Sequence, residues 1–280
     1  MALTTENLSA NVGAEIKADK KTLLSGGAVA SEIRRLLEQR GVLIARGIGF
    51  DDLEEMAFAR TLGTVRLGKV KAEGVDGIMK VTFDKKENPT YANYFGGTFF
   101  WHMDGTYDEV PPLGGILTPR VLSPTGGQTE FANTYAAYDA LPDSDKKLIE
   151  GLKVVHTIEA AHRCYTPNPT AEERAFWDSF PIRVHPLVWT HRSGRKSLVL
   201  STSGDHIEGM KKTESDALLR RLLDWATRPQ FVYQHHWQMG DMVLWDNTGT
   251  MHRVLQFDIE SGRRLHRVTL EAEEALSKAA

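Results

Sequence analysis

Apolar positions recur at helical spacing in a few stretches of this chain and cluster at strand spacing in many more. In residues 26–40, Val29, Ile33, Leu36 and Leu37 share one face of a 3.6-residue period, and Gly41 supplies the stop. Val42-Leu43-Ile44-Ala45 follows directly and predicts a buried strand. A second helix is predicted from about Asp51 to Leu62, with paired aspartates at the positive end of its dipole and Gly63 after it. A third is predicted to start at Thr213 as N-cap, with Asp216 as its capping-box partner and Leu218, Leu219, Leu222 and Trp225 as its apolar stripe. Residues 135–141 and 142–152 read as a helical insertion.

Strands are predicted at 78–82, 115–117, 154–157, 231–237, 242–245 and 265–270. Residues 187–191 and 196–200 flank Arg192-Ser193-Gly194-Arg195 and read as a hairpin. Gly126-Gly127-Gln128-Thr129-Glu130-Phe131 reads as a turn entering a strand. Two stretches, 84–98 and 158–185, have no clear period; long irregular segments inside compact domains often cover binding sites, so both are lid candidates. Many short strands around inserted helices predict a mainly β chain with flanking helices (α+β), a double-stranded β-helix or cupin-like jelly roll, in one domain spanning 1–280.

Composition narrows the function classes. At 280 residues with 41% hydrophobic and 25% charged positions, the chain can bury a sizeable core. A net charge of −3 provides no basic field for nucleic acid or an anionic membrane. No apolar run approaches the roughly 20 residues that cross a bilayer, and Met1 to Lys20 lacks the apolar core of a signal peptide. Cys164 is the single cysteine, so no disulfide forms within the chain, and a cytoplasmic setting is expected. The expected partner is a small molecule; a homo-oligomer is neither required nor excluded.

The candidate chemistry centres on Phe99-Phe100-Trp101-His102-Met103-Asp104-Gly105-Thr106-Tyr107. On an extended segment, residues two apart point the same way, so His102 and Asp104 can face one centre. With a second histidine they would form the two-histidine, one-carboxylate face that suits non-haem Fe(II). His252, which follows a turn, an apolar strand and a polar bend, is the best candidate, although alone it reads equally as a core histidine. His206 and Glu208 repeat the spacing in a loop-like context. His235 and His236 are adjacent, so only one can face inward. Cys164 lies two residues from His162 but reads as an inert thiol.

In Arg263-Arg264-Leu265-His266-Arg267, strand alternation places Arg263, Leu265 and Arg267 on one side, with Arg264 and His266 on the other. Guanidinium groups facing an interior are costly unless they meet an anion, and their planar fork matches a carboxylate. Two inward arginines therefore imply carboxylate-bearing ligands; the alternative is a solvated edge strand.

These segments, with Ala136 to Leu141, Gly240-Asp241, Trp245-Asp246-Asn247 and Met251-His252-Arg253, resemble the taurine dioxygenase and 2,4-dichlorophenoxyacetate dioxygenase family of Fe(II)/2-oxoglutarate oxygenases. The resemblance spans most of the chain in the family's order. It implies His102, Asp104 and His252 as iron ligands, and Thr129 and Arg263 as the residues on the distal carboxylate of 2-oxoglutarate. Arg263 stands eleven residues after His252, at the family's spacing, and Arg267, four later, is implied to meet the anionic end of the substrate. Gly105, Thr98 and Phe95 are expected on the substrate side. The implied reaction uses Fe(II), 2-oxoglutarate and O₂ to hydroxylate an unactivated C–H, releasing succinate and CO₂. Because Asp104 is an intact carboxylate, hydroxylation is implied rather than halogenation.

One departure bears on the substrate. Taurine-cleaving members carry a histidine where Gly68 aligns here, and no histidine lies between residues 1 and 101. An aryl or alkyl carboxylate is therefore expected ahead of a sulfonate or sulfate ester, and Tyr94, Phe95, Phe99 and Phe100 would suit a larger apolar body. The alternatives from other classes are a non-catalytic jelly-roll module binding a small acid and a Zn²⁺ hydrolase. Neither needs Thr129, Arg263 and Arg267 together.

Overall fold

The continuous apolar run at 42–45 is buried at every position, and only a strand covered on both faces needs that pattern. The computed structural model describes residues 3–67, 74–89 and 92–276. Its first elements are β1 (Thr4–Asn7), β2 (Ala14–Lys17), α1 (Lys20–Leu23), α2 (Gly27–Arg40), β3 (Val42–Ala45), α3 (Asp52–Leu62) and β4 (Ile78–Val81). Next come β5 (Gly114–Val121), β6 (Thr129–Asn133), α4 (Thr134–Asp139), α5 (Asp143–Ile149), β7 (Lys153–His156), α6 (Ile158–Arg163) and α7 (Ala171–Asp178). The hairpin region holds β8 (Arg183–Pro186), β9 (Val188–Thr190), β10 (Lys196–Leu198) and β11 (Gly204–Ile207). The chain closes with α8 (Lys212–Ala226), β12 (Val232–His235), β13 (Met242–Asp246), β14 (Thr250–Val254) and β15 (Arg264–Leu270).

A seven-stranded sheet has the order β1-β2-β3-β13-β5-β15-β4, and a three-stranded sheet the order β12-β6-β14. Among the described strands, only β2 and β3 pair in parallel. Alternation along the central strands divides the core. Leu43, Ile116, Leu244 and Val268 pack under α2 and α3 with Ile33, Leu37, Met56 and Phe58. Val42, Ile44, Leu117, Val243, Trp245 and Leu265 face the other way and meet Phe131 of the three-stranded sheet. The back of that smaller sheet offers Ala132 and Met251 to a third cluster with α4, α8 and Leu198. The fold is thus sheet-rich, with helices outside.

Several expectations change. Thr213 lies inside α8, whose N-cap is Lys211 without a side-chain bond, and Asp216 instead pairs with Lys212 at 2.5 Å. Residues 204–207, read as a loop, form β11, because β7 provides an open edge for them. The irregular stretch 84–98 contains a 3-10 helix, Ala92–Phe99. Within 158–185 lie α6, α7 and β8, and α7 opens with a Thr170–Glu173 capping box. The N-terminal hairpin of β1 and β2 has too little apolar pattern to have been predicted.

A polar group is buried between α3 and the sheet. Glu55 is fully buried; its Oε2 accepts from the Thr118 hydroxyl and, at 3.3 Å, from Arg120, while Oε1 has no partner among the described residues. Burial pushes its carboxyl up to about 8 in spite of those donors.

Two predictions follow from this packing. A β-carbon on Gly115 would stand 2.3 Å from the Trp245 ring, which is itself fully buried. Gly115→Ala should therefore lower stability by about 1–3 kcal/mol in urea titration, and an unchanged midpoint would mean that the two sheets can separate at no cost. For Glu55, the folded chain keeps the proton up to about pH 8, whereas the unfolded chain releases it near the ordinary value of about 4.3. Between those values folding takes up a proton, so this contribution to stability falls as pH rises and flattens above 8. Buried histidines act oppositely but are common to parent and variant. The stability gap should therefore move in favour of Glu55→Gln from pH 5 to pH 8; a constant gap would mean that Glu55 is ionised in the native state.

Candidate metal centre

His102 and His252 meet through the backbone. His102 N donates to His252 O at 3.1 Å and His252 N donates to His102 O at 2.9 Å, an isolated antiparallel bridge at the rim of the smaller sheet. Their rings lie 4.2 Å apart. Asp104, two residues on, turns the same way, so that ligand atoms of His102, Asp104 and His252 all lie within 4.8 Å of one another. Among the described residues this is the one such group.

The protonation of the group suits a cation. His102 Nδ1 lies 2.8 Å from Phe100 O and can only donate to it, which leaves the Nε2 lone pair 3.9 Å from Asp104 Oδ1. Burial holds the His252 imidazole well below its ordinary range, so it is neutral, with Nε2 3.5 Å from Asp104 Oδ2. Burial alone would raise the Asp104 carboxyl, but the Arg267 guanidinium beside it outweighs burial and holds it well below the usual range. A neutral imidazole and an ionised carboxylate are the forms that ligate metal, and the N₂O donor set fits a divalent transition metal.

Beside this centre lie the arginines. Arg263 is 6% exposed; it donates from Nη2 to Gly127 O at 3.0 Å and packs over the Phe257 ring at 4.8 Å. Burial pulls its guanidinium down to about 10, and no carboxylate pairs with it among the described residues. Arg267 donates to Asp104 Oδ2 at 2.6 Å, lies 5.0 Å over the Trp245 ring and keeps a buried Nε without a partner. Arg264 points to the opposite face, where Glu87 takes it at 3.0 Å. Thr129 is buried on β6, and its hydroxyl accepts from Trp237 Nε1 at 2.9 Å.

Other candidates fall elsewhere. His206 pairs with Asp205 at 2.7 Å rather than with Glu208, outside the three-residue group. His235 is fully buried against Asp241 at 3.1 Å, and His236 is exposed, as adjacency on a strand requires. Cys164 is an exposed thiol whose ionisation burial disfavours. Gly68 lies outside the described residues. At Gly105, φ is +67° and a β-carbon would meet Pro112 at 2.5 Å, so the chain's own turn already requires the glycine. Thr98 donates to Phe95 O at 2.6 Å.

The aromatic residues divide into two groups. Phe95 and Phe99 join Phe83, and Phe83 and Phe99 also approach Phe257, beside Arg263. Tyr94 instead stacks on Phe176 at 4.5 Å, Phe176 meets Phe180 at 5.0 Å, and Phe180 meets Tyr107 at 5.7 Å. The second row links both lid candidates to the segment that carries Asp104. Tyr107, not predicted as a site residue, is pushed up to about 12 by burial and then by Asp104 and Asp108. Trp237 was also not predicted, although the alternation that turns His235 inward extends to it.

The family profile described as "Taurine catabolism dioxygenase TauD, TfdA family" matches residues 4–269. The chain is 35% identical over 263 residues to an alpha-ketoglutarate-dependent 2,4-dichlorophenoxyacetate dioxygenase of Burkholderia sp. (strain RASC), covering 88% of each. It is 30% identical over 280 residues to an alkylsulfatase of Acinetobacter baylyi, covering 97% of this chain and 86% of that one. The crystal structure of AAD-2 in complex with Mn(II) and N-oxalylglycine superposes with a TM-score of 0.84 at 31% identity, covering 99% of this chain and 100% of that one.

Proposed function

This chain belongs to the taurine catabolism dioxygenase TauD, TfdA family, and we propose that His102, Asp104 and His252 hold its iron while Arg263 and Thr129 hold the distal carboxylate of 2-oxoglutarate. The protein is an Fe(II)/2-oxoglutarate-dependent dioxygenase acting on a small anionic substrate. When bound, the iron with 2-oxoglutarate and O₂ supplies an oxidation that releases succinate and CO₂ and turns a substrate C–H into C–OH.

The observation that carries the co-substrate assignment is the buried guanidinium of Arg263, which no carboxylate among the described residues pairs with and which is anchored on Gly127, two residues before Thr129. A cation this far from water is stable only with a counter-anion, and a bidentate carboxylate meets its geometry. Arg267 is assigned to the substrate's acidic group, supported by its unpartnered Nε beside Asp104. Gly105, Thr98 and Phe95 remain on the substrate side in this reading. The hydroxyl of Thr98 is already engaged, so it shapes the wall rather than binding polar atoms.

For the substrate, an aryl or alkyl carboxylate stands first. The row Tyr107, Phe180, Phe176 and Tyr94 suits an extended apolar or aromatic body, and the relatives include phenoxyalkanoate dioxygenases. A sulfate ester stands second, supported by the alkylsulfatase and sulfate ester dioxygenase relatives. In either case a hydroxyl placed on a carbon bonded to oxygen leaves a product that breaks apart.

The finer fold belongs to the same proposal. The seven- and three-stranded sheets, packed through Phe131, Trp245 and Leu265, read as the two faces of a double-stranded β-helix in a single domain. The segments 84–98 and 158–185 read as its lids. The lone thiol supports a cytoplasmic setting; none of the described helices is long and apolar enough to cross a membrane.

Anaerobic addition of Fe(II) and then 2-oxoglutarate should produce a weak visible charge-transfer band. Once O₂ is admitted, aryloxyalkanoates should drive conversion of 2-oxoglutarate to succinate faster than alkyl sulfates do. No band, and no succinate with either panel, would sink the assignment. Arg263→Ala should raise the 2-oxoglutarate KM at least tenfold, since a charged hydrogen bond contributes about 1.5–3 kcal/mol, with metal affinity intact. An unchanged KM would overturn the assignment of that carboxylate to Arg263; Arg264, on the opposite face with Glu87, is not placed to take the role over.

A further inference from the structure

His102 and His252 are held by the bridge between them, but Asp104 lies beyond it, outside any regular strand. Its backbone is nevertheless fully paired, by one side chain. Asp104 N donates to Asn247 Oδ1 at 2.9 Å, and Asn247 Nδ2 donates to Asp104 O at 3.0 Å. The amide thus makes the two bonds that a neighbouring strand would have made.

The same Nδ2 also donates to Pro112 O at 3.0 Å, and Asn247 N donates to Leu113 O at 2.9 Å. Both ends of the segment 104–113 are therefore fixed to one residue. Asn247 is 1% exposed, in the turn between β13 and β14. That turn is stiff in its own right. Asp246 Oδ1 accepts from Thr248 N at 2.8 Å and from Thr248 Oγ1 at 2.6 Å, and Thr250 Oγ1 donates to Asp246 O at 2.7 Å.

We infer that Asn247 is a positioning residue for metal binding, acting through the backbone of Asp104 to hold its carboxylate in register with the two histidines. The inference rests on the metal reading proposed above. An amide suits the task because it offers an acceptor and two donors on one rigid plane, and here all three needs are met at once. Groups that orient ligands in this way typically change metal affinity about 10–100-fold when removed.

The test is Mn(II) affinity, measured by calorimetry on the metal-free full-length protein. Asn247→Ala should bind Mn(II) about 10–100-fold more weakly than the parent. Its 2-oxoglutarate affinity at saturating Mn(II) should stay within about twofold of the parent, because Arg263 and Thr129 are untouched. Thr248→Val, which loosens the same turn without touching Asp104, is the control: it should lower the melting temperature and leave Mn(II) affinity unchanged. An Asn247→Ala protein that folds and binds Mn(II) like the parent overturns the inference, as does a Thr248→Val protein that loses affinity equally. Should Asn247→Ala not fold, Asn247→Asp, which keeps the acceptor, is judged by the same criterion, and failure of both to fold makes Asn247 structural and overturns the inference. A parent that binds no Mn(II) sinks the metal reading itself, and with it this one.

Discussion

Two backbone hydrogen bonds between His102 and His252 join parts of the chain that lie 150 residues apart. Everything at the candidate centre depends on that closure. It brings the imidazoles within 4.2 Å of each other, tilted by 49°, and the chain direction then brings Asp104 to the same point. The bridge exists because β14 is an edge strand of the smaller sheet, paired with β6 on one side and meeting His102 on the other, and because Phe131 and Trp245 pack against the His252 ring. Site and core are one construction: the ring of His252 packs on the same aromatics that join the two sheets.

Charge placement follows from the same sheets. The last strand alternates, so Leu265 faces the interior between the sheets while Val268 goes under α3. Arg267 therefore turns inward over Trp245, and Arg264 turns out to Glu87. An inward cation has few ways to be stable. Arg267 uses Asp104, while Arg263 has a carbonyl and an aromatic face and no carboxylate partner among the described residues. Burial and unsatisfied charge together make the second arginine the strongest mark of an anionic ligand in the molecule. On the outer face, Glu55 solves the same problem differently, by keeping its proton.

Much of this was legible in local pattern. The helix at 27–40 and its glycine stop, the buried run at 42–45 and the alternation of the final strand all stand as predicted, because each depends on residues within a few positions of one another. The pairing of His102 with Asp104 needs only a spacing of two. The lid candidates were less legible. The helices α6 and α7 are short, and Phe176 of α7 stacks on Tyr94 of the other irregular segment, so no period shows. The start of α8 failed for another reason: a lysine precedes it, and the threonine that looks like a cap sits one turn position too late.

What the sequence determined by itself was therefore the set of polar groups and their spacing: a histidine and an aspartate two apart, two arginines four apart at the last strand, and a threonine entering another strand. Tertiary structure alone decided which histidine completes the group, since His206, His235, His236 and His252 are alike in type and differ only in where the sheets carry them. It also divided the aromatic residues between a cluster beside Arg263 and a row ending at Tyr107, and gave Asn247 to the backbone of Asp104. The physical reason is range. Periodicity and spacing act over a few residues, whereas a closed centre is set by strand register and side-chain packing between segments more than a hundred residues apart.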